Sequence, residues 1–110
     1  MKLCLHSLKG FLVVDLNDIL YAESSGNYTN FYFTNRNMVC TTKPLSEYES
    51  LLEDAGVVRI HKSYIINLLH IKEYVRGEGG SVILSGGKEL EVSRRRKDFL
   101  IAKMKENYKY

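Results

Sequence analysis

What most constrains the fold of this chain is its segmentation into apolar runs of four to seven residues, each closed by a turn signal. Runs of that length match strands and fall short of the ten or so residues a helix needs to show its period. Residues 11–15 and 19–23 are two such runs, separated by the turn-prone Leu16-Asn17-Asp18, and Ser24-Ser25-Gly26-Asn27 breaks the pattern after them. Aromatic and β-branched residues dominate 28–34, and 38–42 returns beyond Asn35-Arg36-Asn37 as the second arm of a hairpin. Further strands are expected at 57–60, 71–76, 81–84 and 88–92, with glycine turns at 77–80 and 85–87 and a mixed segment at 61–70. Only two segments carry helical spacing. After Pro44, Leu45, Tyr48, Leu51, Leu52 and Ala55 recur on one face, with Ser46 and Glu49 in capping-box relation and Gly56 as the stop. Residues 94–108 place Phe99, Leu100, Met104 and Tyr108 on a second apolar face. Short strands with glycine-bearing turns and two short helices imply a mainly β domain of sandwich or barrel type, spanning residues 1–110 as one unit.

A chain of 110 residues buries about two thirds of the surface its unfolded form exposes, so it needs no disulfide or metal staple. With 45% apolar and 26% charged residues it is composed like an ordinary globular protein. No apolar run reaches membrane-spanning length and the N-terminus lacks the apolar core of a signal peptide, so a cytoplasmic location without membrane attachment is expected. Cys4 and Cys40 lie far apart in apolar runs and are expected as small buried hydrophobes. His6, His61 and His70 share no zinc-type spacing with each other or with the cysteines, and no metal or other cofactor is expected.

Charge is distributed unevenly. Residues 92–110 hold seven Lys/Arg against two Asp/Glu, while the rest of the chain holds nine against eleven. The concentration peaks at Ser93-Arg94-Arg95-Arg96-Lys97, where a strand ends and the last helix begins. Four cations at a helix N-terminus oppose the helix dipole, whose positive end prefers anions. The same end offers unpaired N–H donors, so cations beside it form a site for phosphate. The competing interpretation is a solvated basic helix start.

Two further segments bear on polyanion binding. In Arg59-Ile60-His61-Lys62-Ser63-Tyr64-Ile65-Ile66-Asn67, apolar anchors flank the polar triplet His61, Lys62 and Ser63, whose donors suit a phosphate or a guanine edge. His61 on its own is more often a satisfied structural histidine, and Asn67 is expected to bond local backbone. The loop Ser24-Ser25-Gly26-Asn27-Tyr28 brings hydroxyls, a glycine and an amide where a phosphate or an adenine edge could approach, although most such loops are only turns.

Asp18-Ile19-Leu20-Tyr21-Ala22-Glu23, Asn27-Tyr28, Leu45 heading an acidic helix, the 59–67 segment and Val92-Ser93-Arg94-Arg95, in that order and spacing, resemble the LytTR family of bacterial DNA-binding domains. The resemblance covers nearly the whole chain. It implies an elongated β-β-β arrangement of small antiparallel sheets that inserts loops into successive grooves of double-stranded promoter DNA. It further implies transcription regulation at direct-repeat sites, commonly by two copies, as the output domain of a two-component response regulator. The family's three contact regions fall here on Ser25, Asn27 and Tyr28; on His61, Lys62 and Ser63; and on Ser93, Arg94, Arg95, Arg96 and Lys97. A receiver domain would require a further module of about a hundred residues. With Met1 close to the first strand, the chain is expected to be either an excised output domain, served by an upstream receiver and kinase, or a stand-alone regulator.

Two other function classes compete. Tyr28 and Tyr32 share one strand face and Phe31 and Phe33 the other, so an aromatic pair could stack the bases of RNA or single-stranded nucleic acid on a small β-barrel. Aromatic alternation in β domains is more often packing. An enzyme is not expected: Ser63 and His61 do not establish a nucleophile, base and orienter, and the glycines at 77–80 lack the lysine and hydroxyl of a phosphate loop.

Overall fold

The computed structural model describes residues 1–109. Its strands form three antiparallel sheets. β1 (Lys2–Ser7) and β2 (Gly10–Asp15) make a hairpin; β3 (Ile19–Ser25), β4 (Tyr28–Phe33), β5 (Val39–Thr41), β6 (Val57–His61) and β7 (Tyr64–Asn67) make a five-stranded sheet in the order β5-β4-β3-β7-β6. β8 (Ile71–Val75), β9 (Ser81–Leu84) and β10 (Glu89–Glu91) make the third, and α1 (Leu45–Leu52) and α2 (Lys97–Asn107) complete the fold. The molecule is elongated, 41 × 26 × 25 Å, as the family resemblance implied.

The central sheet is apolar on both faces because neighbouring side chains along its strands point to opposite sides. Val57 and Ile65 enter one core with Ala22, Phe31 and Phe33, against β1, β2 and α1. Val58 and Ile66, each one position on, enter the other with Tyr21 and Ile60, against β8–β10 and α2. This explains why runs such as Val57-Val58 and Ile65-Ile66 read as continuous apolar stretches and not as alternation. Asn67 pins the arrangement. Its Oδ1 accepts from Leu69 N–H, and its Nδ2 donates to the carbonyls of Leu16 and Ile19 at 3.0 and 2.9 Å, so the local bonding expected of it extends to the turn before β3.

Several expectations need correction. The strands begin earlier than expected, since Lys2–Ser7 pairs with Gly10–Asp15 from Lys2 opposite Asp15 to Ser7 opposite Gly10. Both cysteines are exposed and free, because the pleat that turns Leu3 and Leu5 inward turns Cys4 outward, and Cys40 lies on the outer side of β5. The capping box at Ser46 and Glu49 does not form: α1 begins at Leu45 after Pro44, which places Ser46 inside the first turn with no side-chain cap. Leu51, expected on the apolar face, is exposed, whereas Leu45, Tyr48 and Leu52 are buried. Gly56 does end the helical segment, at φ +85°, after a 3-10 turn over Glu53–Ala55. The last helix starts in two steps, a 3-10 turn over Arg94–Arg96 and then α2. Tyr108 lies just beyond α2, and its hydroxyl donates to the Leu68 carbonyl.

Candidate nucleic-acid interface

The three segments singled out in the sequence meet at one end of the central sheet. β3 and β4 are joined by the two-residue turn Gly26-Asn27, with Ser25 opposite Tyr28, and Gly26 takes φ +61° where glycine is favoured. β3 pairs on its other side with β7, Glu23 opposite Tyr64, and Ser24 N–H donates to the Ser63 carbonyl at 2.9 Å. Hence the first loop and the β6–β7 turn are tied edge to edge. The third segment is tied to the same strand pair, since Ser93 N–H donates to the Ile60 carbonyl at 2.9 Å.

Arg59 shapes the β6–β7 turn. A register shift between Arg59 and His61 bends β6 there, and the Arg59 guanidinium reaches over the turn. Its Nε donates to the His61 carbonyl at 2.7 Å and its Nη2 to the Lys62 carbonyl at 2.5 Å, while Nη1 bonds Glu49 Oε1 at 2.8 Å. Lys62 is thereby held at an exposed tip.

His61 is the satisfied structural histidine that its residue type favours. Its Nδ1 accepts from Ser63 N–H at 3.1 Å, which leaves the proton on Nε2, 3.1 Å from Glu91 Oε1. Its ring also lies 5.3 Å from that of Tyr64, which sits 6.4 Å edge-on to Tyr21, itself stacked on Tyr32 at 4.5 Å. Burial pushes the Tyr21 hydroxyl up to about 12, with Tyr32 and Glu23 adding to the rise, and burial raises Tyr32 as well. Tyr32 is a partly buried ring packed on Tyr21, while Phe31 and Phe33 are in the core and only Tyr28 of the four is exposed.

The four cations diverge. Arg94 points towards the β8–β9 turn, 3.5 Å from Glu78 with both side chains largely in solvent. Arg96 turns inward: its Nη2 is 3.1 Å from Glu49 Oε2 and its guanidinium lies 5.9 Å from the centre of the Phe99 ring. Arg95 is exposed and Lys97 half-buried, and among the described residues neither side chain forms an ion pair or hydrogen bond, although the Lys97 backbone N–H donates to the Arg94 carbonyl. Ser93 occupies the position before the 3-10 turn and its carbonyl accepts from Arg96 N–H at 3.0 Å, but its side chain makes no capping bond.

Arg59, His61, Lys62, Ser93, Arg95 and Arg96 line a cleft of about 360 Å³. The second and third predicted segments therefore share one basic depression, and the turn carrying Ser25, Asn27 and Tyr28, all exposed, stands beside it without lining it. Arg94 and Lys97 do not line it either. Sequence reasoning missed two residues that build the site, Arg59 and Glu49. The only signal for Glu49 was its capping-box spacing, which pointed to the wrong partner.

The profile of the LytTr DNA-binding domain matches residues 9–105. A LytTr DNA-binding domain from Bacillus cereus superposes with a TM-score of 0.79 over 94% of this chain and 95% of that one, at 21% identity, and so shares the fold. The transcriptional regulatory protein LytR of Staphylococcus aureus strain MW2 is 46% identical over 56 residues, which is 49% of this chain and 23% of that protein. The sensory transduction protein LytT of Bacillus subtilis strain 168 is 28% identical over 95 residues, 84% of this chain and 39% of that protein. The matched segments thus span well under half the length of these two regulators. Matched by profile from the first hairpin to the last helix, it belongs to the LytTr DNA-binding domain family.

Proposed function

We propose that the protein binds double-stranded promoter DNA by sequence and regulates transcription from the cytoplasm. Its site is either the output end of a two-component response regulator or a stand-alone regulator, and two copies would occupy direct repeats. Binding, not catalysis, is the activity assigned. The observation that carries this reading is the cleft in which Lys62, Ser93 and Arg95 converge beside the Asn27 turn. A flat basic face would bind any polyanion. Separate projections on one sheet end instead suit separate grooves.

Labour divides among the segments. Arg95, exposed and uncommitted, is the reader of a guanine edge through its planar fork, and Lys62 is the second reader. Ser93, Arg94 and Lys97 position the backbone by phosphate contact. Ser25, Asn27 and Tyr28 engage the neighbouring groove. His61 and Ser63 act mainly by shaping the turn, in keeping with their internal bonds.

Selection of bound fragments from random duplex DNA, followed by competition with single strands, tests this reading. Enrichment of one motif, present twice at fixed spacing, is expected. Tighter binding to single strands, or no enrichment at all, would sink it.

A further inference from the structure

We infer that Glu49 limits how much of the basic surface DNA can reach, by withholding Arg96 from phosphate, and so sets the overall affinity for DNA of any sequence and its salt dependence. The inference rests on the duplex-DNA reading above. Glu49 projects from α1, the helix whose Tyr48 and Leu52 pack into the core beneath the central sheet. Each of its carboxylate oxygens serves one guanidinium, Oε1 that of Arg59 at 2.8 Å and Oε2 that of Arg96 at 3.1 Å. The side chains of Glu49, Arg59 and Arg96 are 25, 17 and 28% exposed, so salt screens this trio less than a pair in open solvent.

The two arginines differ in what else holds them. Arg59 also donates to two carbonyls of the β6–β7 turn, and it stays in place if the carboxylate is lost. Among the described residues the Arg96 side chain has only Glu49 and the face of Phe99, so loss of the carboxylate frees it at the wall of the cleft, next to Arg95. Phosphate contacts raise affinity for every sequence, each adding about 0.9 to the salt slope, whereas base contacts raise affinity for one. A carboxylate that removes one cation from the phosphate count therefore lowers affinity for all sequences alike and leaves discrimination to Lys62 and Arg95.

The test measures affinity for a selected site and for random duplex across a salt series, for the parent, Glu49→Gln, Arg96→Gln and the double variant, with circular dichroism as the check on folding. Glu49→Gln is expected to steepen the salt slope by about one unit on the selected site and on random duplex alike, leaving the ratio of the two affinities within about two-fold of the parent's. Arg96→Gln alone is expected to leave the slope at the parent value, and in the double variant to restore it. A merely structural Glu49 would weaken binding without moving the slope. The inference is overturned by an unchanged slope in folded Glu49→Gln, or by a fall of about one unit in Arg96→Gln alone, which would make Arg96 a phosphate ligand. Should Glu49→Gln fail to fold, Arg96→Gln decides. A parent that binds no duplex DNA overturns the underlying reading instead, a result distinct from either.

Discussion

Arg95 and its neighbour Arg96 differ by one position and have opposite fates, the one exposed, the other ion-paired to Glu49. Consecutive residues on a 3-10 turn point about 120° apart, which is enough to send one outward and the other back to α1. For Arg95→Ala, a loss of about 1 to 3 kcal/mol on the cognate site is expected, with relaxed preference at one base pair. Titration against single-base variants of the site checks this; equal losses on all of them would reduce Arg95 to a phosphate contact. Inside the protein, Tyr48 is 2% exposed and its hydroxyl has no hydrogen-bond partner among the described residues. Burial raises its pKa, and the nearby Thr41 hydroxyl offsets that only in part. Tyr48→Phe removes an unsatisfied buried group while keeping the ring against Phe31, so a gain of up to about 1 kcal/mol in unfolding free energy is expected. A loss of that size in denaturant titration would show that the hydroxyl is satisfied. Lys62 and Arg95 stood out as candidates in the sequence because charge beside a turn is a local signal, and of the bonds of Asn67 only the one to Leu69 N–H was legible. Glu49 was not, since its Arg96 partner lies 47 positions away and its spacing from Ser46 imitates a helix cap.

Among the elements, the glycine turn between β8 and β9 was legible as a turn but not as a support. A Cβ on Gly79 would lie 1.9 Å from the Val92 carbonyl oxygen and 2.9 Å from the Ser93 carbonyl carbon, so only glycine lets this turn seat against the segment that carries the basic cluster. Tyr74 closes it from the other side, its hydroxyl donating to the Gly79 carbonyl at 2.7 Å. Gly79→Ala must push backbone from backbone, at a cost of about 1 to 3 kcal/mol in stability, and it should weaken DNA binding by displacing Ser93. Wild-type affinity together with wild-type stability would show that the turn does not support the site. Most strands were legible because turn residues bracket them. β1 was missed although Leu3 and Leu5 alternate with Cys4 and His6, because no turn signal precedes a strand that opens the chain. The tie of Ser93 to Ile60 just before the 3-10 start of the last helix was invisible for another reason: it is a contact between segments far apart in sequence.

At the scale of the whole molecule, two cores share one sheet. Leu52 is fully buried in the core beneath α1, and Leu100 is fully buried in the one beneath α2. Truncation of either to alanine should cost about 2 to 5 kcal/mol. Because the strands between them belong to both cores, each variant should shift one common unfolding transition. Two separated transitions in Leu100→Ala, followed by tyrosine fluorescence and by circular dichroism, would show the cores to be independent. The sharing has a consequence for how such a chain can change. Val57 and Val58, or Ile65 and Ile66, deliver successive side chains to opposite interiors, so inserting or deleting one residue within β6 or β7 would exchange the contents of both at once. Length in this molecule is free to drift only where the backbone turns. Two of those turns, β3–β4 and β6–β7, face DNA in the proposed complex, so the domain can explore new target sequences there without renegotiating its interior.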